Sequence, residues 1–331
     1  IVASLVGSEM CIRDSCPGCA WPDPDDHRSS FEFCENGAKA FVTEATKKRV
    51  TPEKMRGISV TELSKLTDME LDKMGRITNP LFLKEGEDTY EEIDWGSAFK
   101  IIASRISGSD DPDENVFYTS GRASNEAAFL WGVLARQIGT NNLPDCSNMC
   151  HESSGVALSR SIGIGKGTVK LSCFEEADLI LVIGQNPGTN HPRMLTALAA
   201  CKENGGSVVS INPLEETAMK RFKHPQNPLH LIGRGVQIAD EHLPVRIGGD
   251  AALLQGFAKT MLSQGGTDPD FISKNTLGFE DWKRHIESTD WETIVEQSGI
   301  SRDRIEKTGT AIAKSERMIV CWAMGLTQHE N

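Results

Sequence analysis

The segment that most constrains the fold is Leu179–Ile183, five consecutive apolar residues that stop at Gly184-Gln185-Asn186-Pro187-Gly188. A strand covered on one face alternates apolar and polar residues, whereas a strand covered on both faces reads as a continuous apolar run. Helical spacing follows over residues 192–203, and Ser207–Ile211 supplies a second apolar run ending at Asn212-Pro213. That is a strand–helix–strand unit of ordinary length. A further helix over residues 301–314 leads into a third strand, 318–323, ending near Gly325. The expected class is α/β with a doubly wound parallel sheet. Ligands of such sheets sit beyond the carboxyl ends of the strands, and those ends here carry Gly, Asn, Gln and Thr.

Upstream, Ala98, Ile101, Ile102 and Ile106 recur at helical spacing. Residues 116–119 read as a short strand. Asn125–Ile138 reads as a helix with Ala127, Leu130, Trp131, Leu134 and Ile138 on one face. Residues 41–95 are polar, with strand-like pieces and a helical stretch near 60–74, and residues 16–40 read as an irregular, ligand-holding loop region. No GxGxxG follows a strand. Gly163-x-Gly165-x-Gly167 does not match a GxxxxGK[ST] phosphate loop, so a tight turn and a ligand role stay equally open.

The chain of 331 residues has room for two or three domains. Its formal charge of −12 argues against a nucleic-acid surface, which needs basic patches. No run of about 18 apolar residues is present to span a membrane. Nine cysteines in a chain of this size are not a disulfide scaffold. Their short spacings point to metal or redox use in a reducing compartment, read as the cytoplasm. Residues 4–15, SLVGSEMCIRDS, match the translated end of a transposon-based sequencing adapter. Residues 1–15 are therefore expected to be non-native, which removes Cys11 as a ligand candidate. The chain is expected to be a truncated piece that stops at Asn331.

Two constellations carry chemistry. Cys16-Pro17-Gly18-Cys19, with Cys34 further on, offers two thiolates to one metal or cluster. The alternatives are half a zinc site, a redox pair lacking its usual strand–helix context, and unligated cysteines. The second runs Asp145-Cys146-Ser147-Asn148-Met149-Cys150-His151-Glu152. It is compatible with Cys–His nucleophilic catalysis, with soft-metal ligation by Cys150, and with a buried thiol beside a hydrogen-bonded imidazole.

Taken in order, CPGCAWPDP (16–24), FEFCENGAKA (31–40), SGRASNEAAF (120–129), the segment from Gly139-Thr140-Asn141-Asn142 to Cys150-His151, IGQNPGTNHPR (183–193), INPLEE (211–216), RIGGDAALL (246–254) and MGLTQH (324–329) resemble the formate-dehydrogenase-like, YdeP-type molybdopterin oxidoreductase alpha subunits. The resemblance covers residues 16–331. It implies Cys150 as the protein ligand to molybdenum and His151 as its active-site neighbour. Gly184, Gln185, Asn186, Pro187, Asn190, Asn212, Gly249, Asp250, Gly325 and Gln328 would line the grooves of a Mo-bis(molybdopterin guanine dinucleotide). Cys16, Cys19 and Cys34 would hold a 4Fe–4S cluster, with Lys39 between cluster and pterin. The family shows four cluster cysteines where this chain shows three, and the family's catalytic arginine segment and C-terminal barrel lie beyond Asn331.

The implied organisation is an iron–sulfur domain over 16–94, the first part of a molybdopterin-binding α/β domain over 95–145, and a second such domain, truncated, over 146–331. The implied function is two-electron oxidation of a small anion such as formate, with electrons leaving through the cluster to a partner that the sequence does not identify. The alternatives are a nitrate or other oxoanion reductase of the same superfamily, and a metal-free structural subunit of a respiratory complex.

Overall fold

The computed structural model describes residues 21, 38, 42, 45–119, 123–144, 150–224 and 227–329. They fall into two compact units, one holding the described residues from 38 to 144, the other residue 21 and those from 150 to 329. No helix among the described residues is long and apolar enough to cross a membrane.

The first unit has little sheet. Arg49–Val50 pairs parallel with Arg76–Ile77, and Leu81–Phe82 pairs antiparallel with Glu91–Glu92. The helical stretch expected near 60–74 is two helices, Val60–Leu63 and Asp68–Met74. Each starts with its own capping box: Ser59 with Glu62, and Thr67 with Glu70. A second cap inside the stretch satisfies the orphan N–H groups of a new helix start and so ends the first.

Residues 116–119 do not form the expected strand. Phe117 donates one backbone hydrogen bond to Asn142 O (2.8 Å), and no ladder is described around it. Val116 and Tyr118 are at least half exposed while Phe117 between them is buried, so only one face of the segment is covered.

Trp95–Ser107 and Asn125–Ile138 are the long helices of this unit, capped by Asp94 and Ser124. Of the apolar face expected on the second, Leu130, Trp131 and Leu134 are exposed and Ala135 is buried instead. An amphipathic helix hides its stripe only where something faces it; here Trp131 meets Phe117 edge-on (ring centroids 5.4 Å apart), while Leu130 and Leu134 stay exposed. A cavity of about 570 Å³, lined among others by Val50, Met55, Leu71, Ile77, Leu81 and Trp95, lies in this unit and includes none of the expected site residues.

The second unit is built on the expected parallel sheet. Its strands are numbered β1 (Leu179–Ile183), β2 (Ser207–Ile211), β3 (Glu241–Leu243) and β4 (Met318–Trp322), and their spatial order is β3-β2-β1-β4. All neighbours are parallel, and the register sets Ile183 level with Ile211 and Trp322, and Ile211 level with Leu243. The four carboxyl ends therefore lie at one edge.

Five helices matter for the site and core: α1 (Glu152–Ile162), α2 (Met194–Glu203), α3 (Asp250–Ser263), α4 (Trp291–Ser298) and α5 (Arg302–Lys314). The two-residue period of the strands sends side chains alternately to two cores. Ile180, Val182, Val208 and Ile319 join Met194, Leu195 and Leu198 of α2. Leu179, Leu181, Ile183, Val209 and Ile211 join Leu253 and Phe257 of α3, Ile294 of α4 and Ile305 of α5. Helices on both faces explain why β1 has no polar residue. Each of its buried side chains contributes about 1.5–3 kcal/mol.

β3 is absent from the sequence expectation for a physical reason. It has three residues, and Glu241 is ion-paired to Arg304 and to Lys307 (2.8 Å) rather than packed in the core. Those cations, Lys307 first, hold the Glu241 carboxyl below its usual range against the opposing effect of burial. At the opposite edge of the sheet, Asp178 accepts hydrogen bonds from Ser315 and from the backbone N–H of Glu316 (3.0 Å) and Arg317 (3.2 Å), joining the start of β1 to the start of β4.

Candidate functional site

In a sheet of order 3-2-1-4 the chain leaves β1 towards β2 on one side and returns to β4 on the other. The carboxyl ends of β1 and β4 are therefore the place where sheets of this kind open a ligand crevice. The loop after β1 begins at Gly184, whose φ of +60° is left-handed and whose N–H donates to Ile211 O at 2.8 Å. A Cβ built on Gly184 would lie 3.5 Å from the backbone nitrogen of Leu326 and 3.6 Å from Gly325 Cα. The two loops therefore run backbone against backbone at their base, which the small residues permit.

Gln185 follows, 8% exposed. Its Nε2 lies 3.4 Å from His191 Nδ1, and its Oε1 has no hydrogen-bond partner among the described residues. Asn186 caps the short helix Pro187–Asn190 by accepting from Thr189 N–H (3.3 Å), with Pro187 buried at its first turn and Asn190 exposed at its end. Asn186 Nδ2 donates to Glu216 Oε2 at 2.8 Å, and Asn212 Nδ2, after β2, donates to Glu216 Oε1 at 3.5 Å. Glu216, absent from the expected set, thus ties the loops after β1 and β2 together.

Cys150 and His151 stand at the start of α1, with His151 as its N-cap residue and Cys150 half-buried before it. The positive end of a helix dipole favours negative charge at that place. Gln328, in the loop after β4, donates from Nε2 to Cys150 O at 2.9 Å. The buried Ser154 hydroxyl lies 3.2 Å from His151 Nδ1 and 2.8 Å from Thr327 Oγ1. Two links therefore hold the Cys150–His151 pair to the carboxyl end of β4.

Gly249 and Asp250 open α3, both buried. A Cβ on Gly249 would come within 2.5 Å of Gln297 O, so no larger residue fits. Burial pushes the Asp250 carboxyl above its usual range, and His329, with Nε2 at 3.3 Å from Oδ2, opposes that shift.

Cys150, His151, Gln185, Gly184, Gly325 and Gln328 are thus linked across the ends of β1 and β4, Asn186 and Asn212 are joined through Glu216, and Gly249–Asp250 meets the His329 end of the β4 loop. Asn190 makes no side-chain bond of this network. Cys16, Cys19, Cys34 and Lys39 lie outside the described residues, and among the described residues no group of three or more His, Cys, Asp or Glu side chains is placed to hold a metal. Two other thiols belong to the core: burial raises the pKa of Cys201, and it pushes that of Cys321 up to about 12.

Several partners were not singled out from the sequence: Ser154, Thr327, Glu216, His329, His191 and Trp21. Burial lowers the pKa of His191 first, and proximity to His151 adds to it. Trp21 sets its ring edge-on against Phe174 (centroids 5.4 Å apart) and against His191 (6.3 Å). His191 lies inside the IGQNPGTNHPR motif, so a scan for titratable side chains within that motif would have found it. The same scan of INPLEE and MGLTQH would have reached Glu216 and His329, while Ser154, Thr327 and Trp21 are joined by long-range contacts that local patterns do not reveal.

The comparisons with known proteins agree with this architecture. Residues 76–331 match the molybdopterin oxidoreductase family model. An oxidoreductase of Mycobacterium tuberculosis, Rv2900c, named as uncharacterized, is 47% identical over 320 residues, covering 95% of this chain and 41% of that protein. Protein YdeP of Escherichia coli is 45% identical over 355 residues, covering 100% of this chain and 47% of that protein. The chain spans less than half the length of these curated relatives. Among solved structures, the acetylene hydratase from Pelobacter acetylenicus superposes with a TM-score of 0.52 at 20% identity, over 75% of this chain and 32% of that one, a likeness of fold alone. A parallel sheet, a family match across most of the chain and relatives near half identity lead to one conclusion: the chain belongs to the molybdopterin oxidoreductase family.

Proposed function

We propose that this chain supplies the metal-ligand loop and one dinucleotide crevice of a formate-dehydrogenase-like enzyme. In this reading a small anion such as formate is oxidised by two electrons at a Mo-bis(molybdopterin guanine dinucleotide). The electrons leave through a 4Fe–4S cluster held by Cys16, Cys19 and Cys34, with Lys39 between cluster and pterin, to a cytoplasmic electron acceptor. The observation that carries the reading is the bond from Gln328 to the Cys150 backbone, which holds a thiol at the strand-end crevice of a family whose members use a molybdenum–pterin cofactor.

The residues fit such a group. A pterin dinucleotide is long, anionic and rich in hydrogen-bonding atoms, and it needs close backbone approach together with buried polar partners. Gly184 and Gly325 let the loops after β1 and β4 approach each other closely, and the buried Oε1 of Gln185, without a hydrogen-bond partner among the described residues, asks for a donor from outside the protein. Pro187, Asn190, Asp250 and Gln328 complete the set assigned to the groove, while Asn186 and Asn212 hold its loops through Glu216.

When bound, the cofactor supplies a metal that takes two electrons together and returns them singly. Cys150 contributes the thiolate, a soft ligand suited to such a metal. His151 has its Nδ1 engaged by Ser154, which leaves Nε2 to contact the anion and to take the proton released as formate becomes carbon dioxide. Ser154 and Thr327 orient that imidazole. The test is formate-dependent reduction of artificial electron acceptors by the metal- and cluster-replete whole protein. Turnover supports the reading, and no turnover with any acceptor removes formate as the substrate.

A further inference from the structure

A buried amide needs partners at both ends. The Gln185 amide nitrogen has one in His191 Nδ1 at 3.4 Å, and its oxygen has none among the described residues. An amide nitrogen can only donate, so His191 Nδ1 accepts and the ring proton of the neutral imidazole sits on Nε2. The surroundings favour the neutral ring, since burial and the nearby His151 both disfavour a positive charge on His191. The ring is also held in place. Trp21 packs edge-on against it, and the His191 backbone N–H closes the helix Pro187–Asn190 by donating to Pro187 O at 2.9 Å.

We propose that His191 is a positioning residue for cofactor recognition: by accepting the Gln185 amide it fixes the Gln185 carbonyl oxygen as a buried acceptor at the end of β1, so that the crevice takes the pterin dinucleotide through an N–H or O–H donor of that ligand. The inference rests on the cofactor reading above and names its local chemistry. A site built around a buried acceptor discriminates strongly against a ligand that has no donor to offer it. His191 therefore acts through Gln185 and without touching the reacting atoms.

Two measurements on the whole protein test this. The first is guanine nucleotide released by acid hydrolysis per chain, with folding checked by circular dichroism. His191→Phe keeps a ring against Trp21 and loses the acceptor, and its bound nucleotide falls by about ten-fold or more, as removal of an orienting partner does. His191→Asn places an amide oxygen near the position of Nδ1 and retains nucleotide to within about two-fold of wild type. The second is nitrogen NMR of histidine-labelled protein, with the His191 signals assigned by their loss in His191→Asn, and the ring proton is expected on Nε2. Wild-type nucleotide content in His191→Phe, equal losses in both variants, or a proton on Nδ1 would each overturn the proposal, the last because the Gln185 amide would then face the other way. A wild-type protein without guanine nucleotide overturns the cofactor reading and the ligand named here, while the NMR result still decides whether His191 orients Gln185.

Discussion

Gln328 Nε2 donates to the carbonyl oxygen of Cys150 at 2.9 Å, joining residues 178 positions apart. The thiol that the sequence nominates as a metal ligand is therefore placed by the loop after β4, and not only by its own helix. Position in a metal site comes from such outer partners as much as from the ligand itself.

Gln328→Ala removes that bond. The carbonyl is partly exposed and water can replace the amide, so the expected loss of stability is modest, about 0.5–1.5 kcal/mol in urea unfolding. Metal content of the whole protein is expected to fall much more, by about ten-fold. Unchanged metal content would show that α1 positions Cys150 without the β4 loop.

His151 and Ser154 separate chemistry from orientation. His151→Gln in the metal-replete protein is expected to lower turnover on the order of 10²-fold with metal retained. Ser154→Ala keeps the imidazole but removes the hydroxyl that orients it between Nδ1 and Thr327, so turnover falls by a smaller factor. Loss of metal together with activity in His151→Gln would make His151 an orienting residue for Cys150.

Asp178 predicts a pH dependence with a definite sign. Burial raises its pKa, but hydrogen bonds from Ser315, Glu316 and Arg317 outweigh that, and the net shift is downward. A carboxyl whose folded pKa is depressed contributes stability that is present above its unfolded pKa, about 3.9, and is lost as pH falls through the folded value. Urea midpoints of Asp178→Asn should lie below wild type at neutral pH, and the gap should narrow as the pH drops below about 4. A gap independent of pH would mean that the carboxylate charge is immaterial at this joint.

Much of the second unit was legible because burial on both faces leaves a plain trace. Leu179–Ile183 and Ser207–Ile211 form strands over the residues expected; in the first unit, Asn125–Ile138 is a helix to the residue. The helix expected over 192–203 starts at Met194, since Pro187–Asn190 forms its own short turn first, and β4 ends at Trp322. Glu241–Leu243 leaves little trace because it is short, with Leu243 alone in the core and Glu241 held by ion pairs. The division of residues 60–74 was readable from Thr67 and Glu70, a capping pair inside a helical pattern. The site was legible residue by residue and not as a network. His191 was within reach of a scan of its own motif, but Glu216, Ser154 and Thr327 act through bonds to residues distant in sequence or on other loops, and their pairing leaves no sign in a linear pattern.

The most direct test of the central claim is metal and guanine nucleotide analysis of the whole protein, purified without oxygen, beside Cys150→Ser and Cys150→Ala. The expected result is about one molybdenum or tungsten per chain, with about two guanine nucleotides per metal. Both variants should fold as wild type does and lose most or all of the activity. Wild-type protein without either metal, or a fully active Cys150→Ala, would contradict the assignment of Cys150 as the ligand.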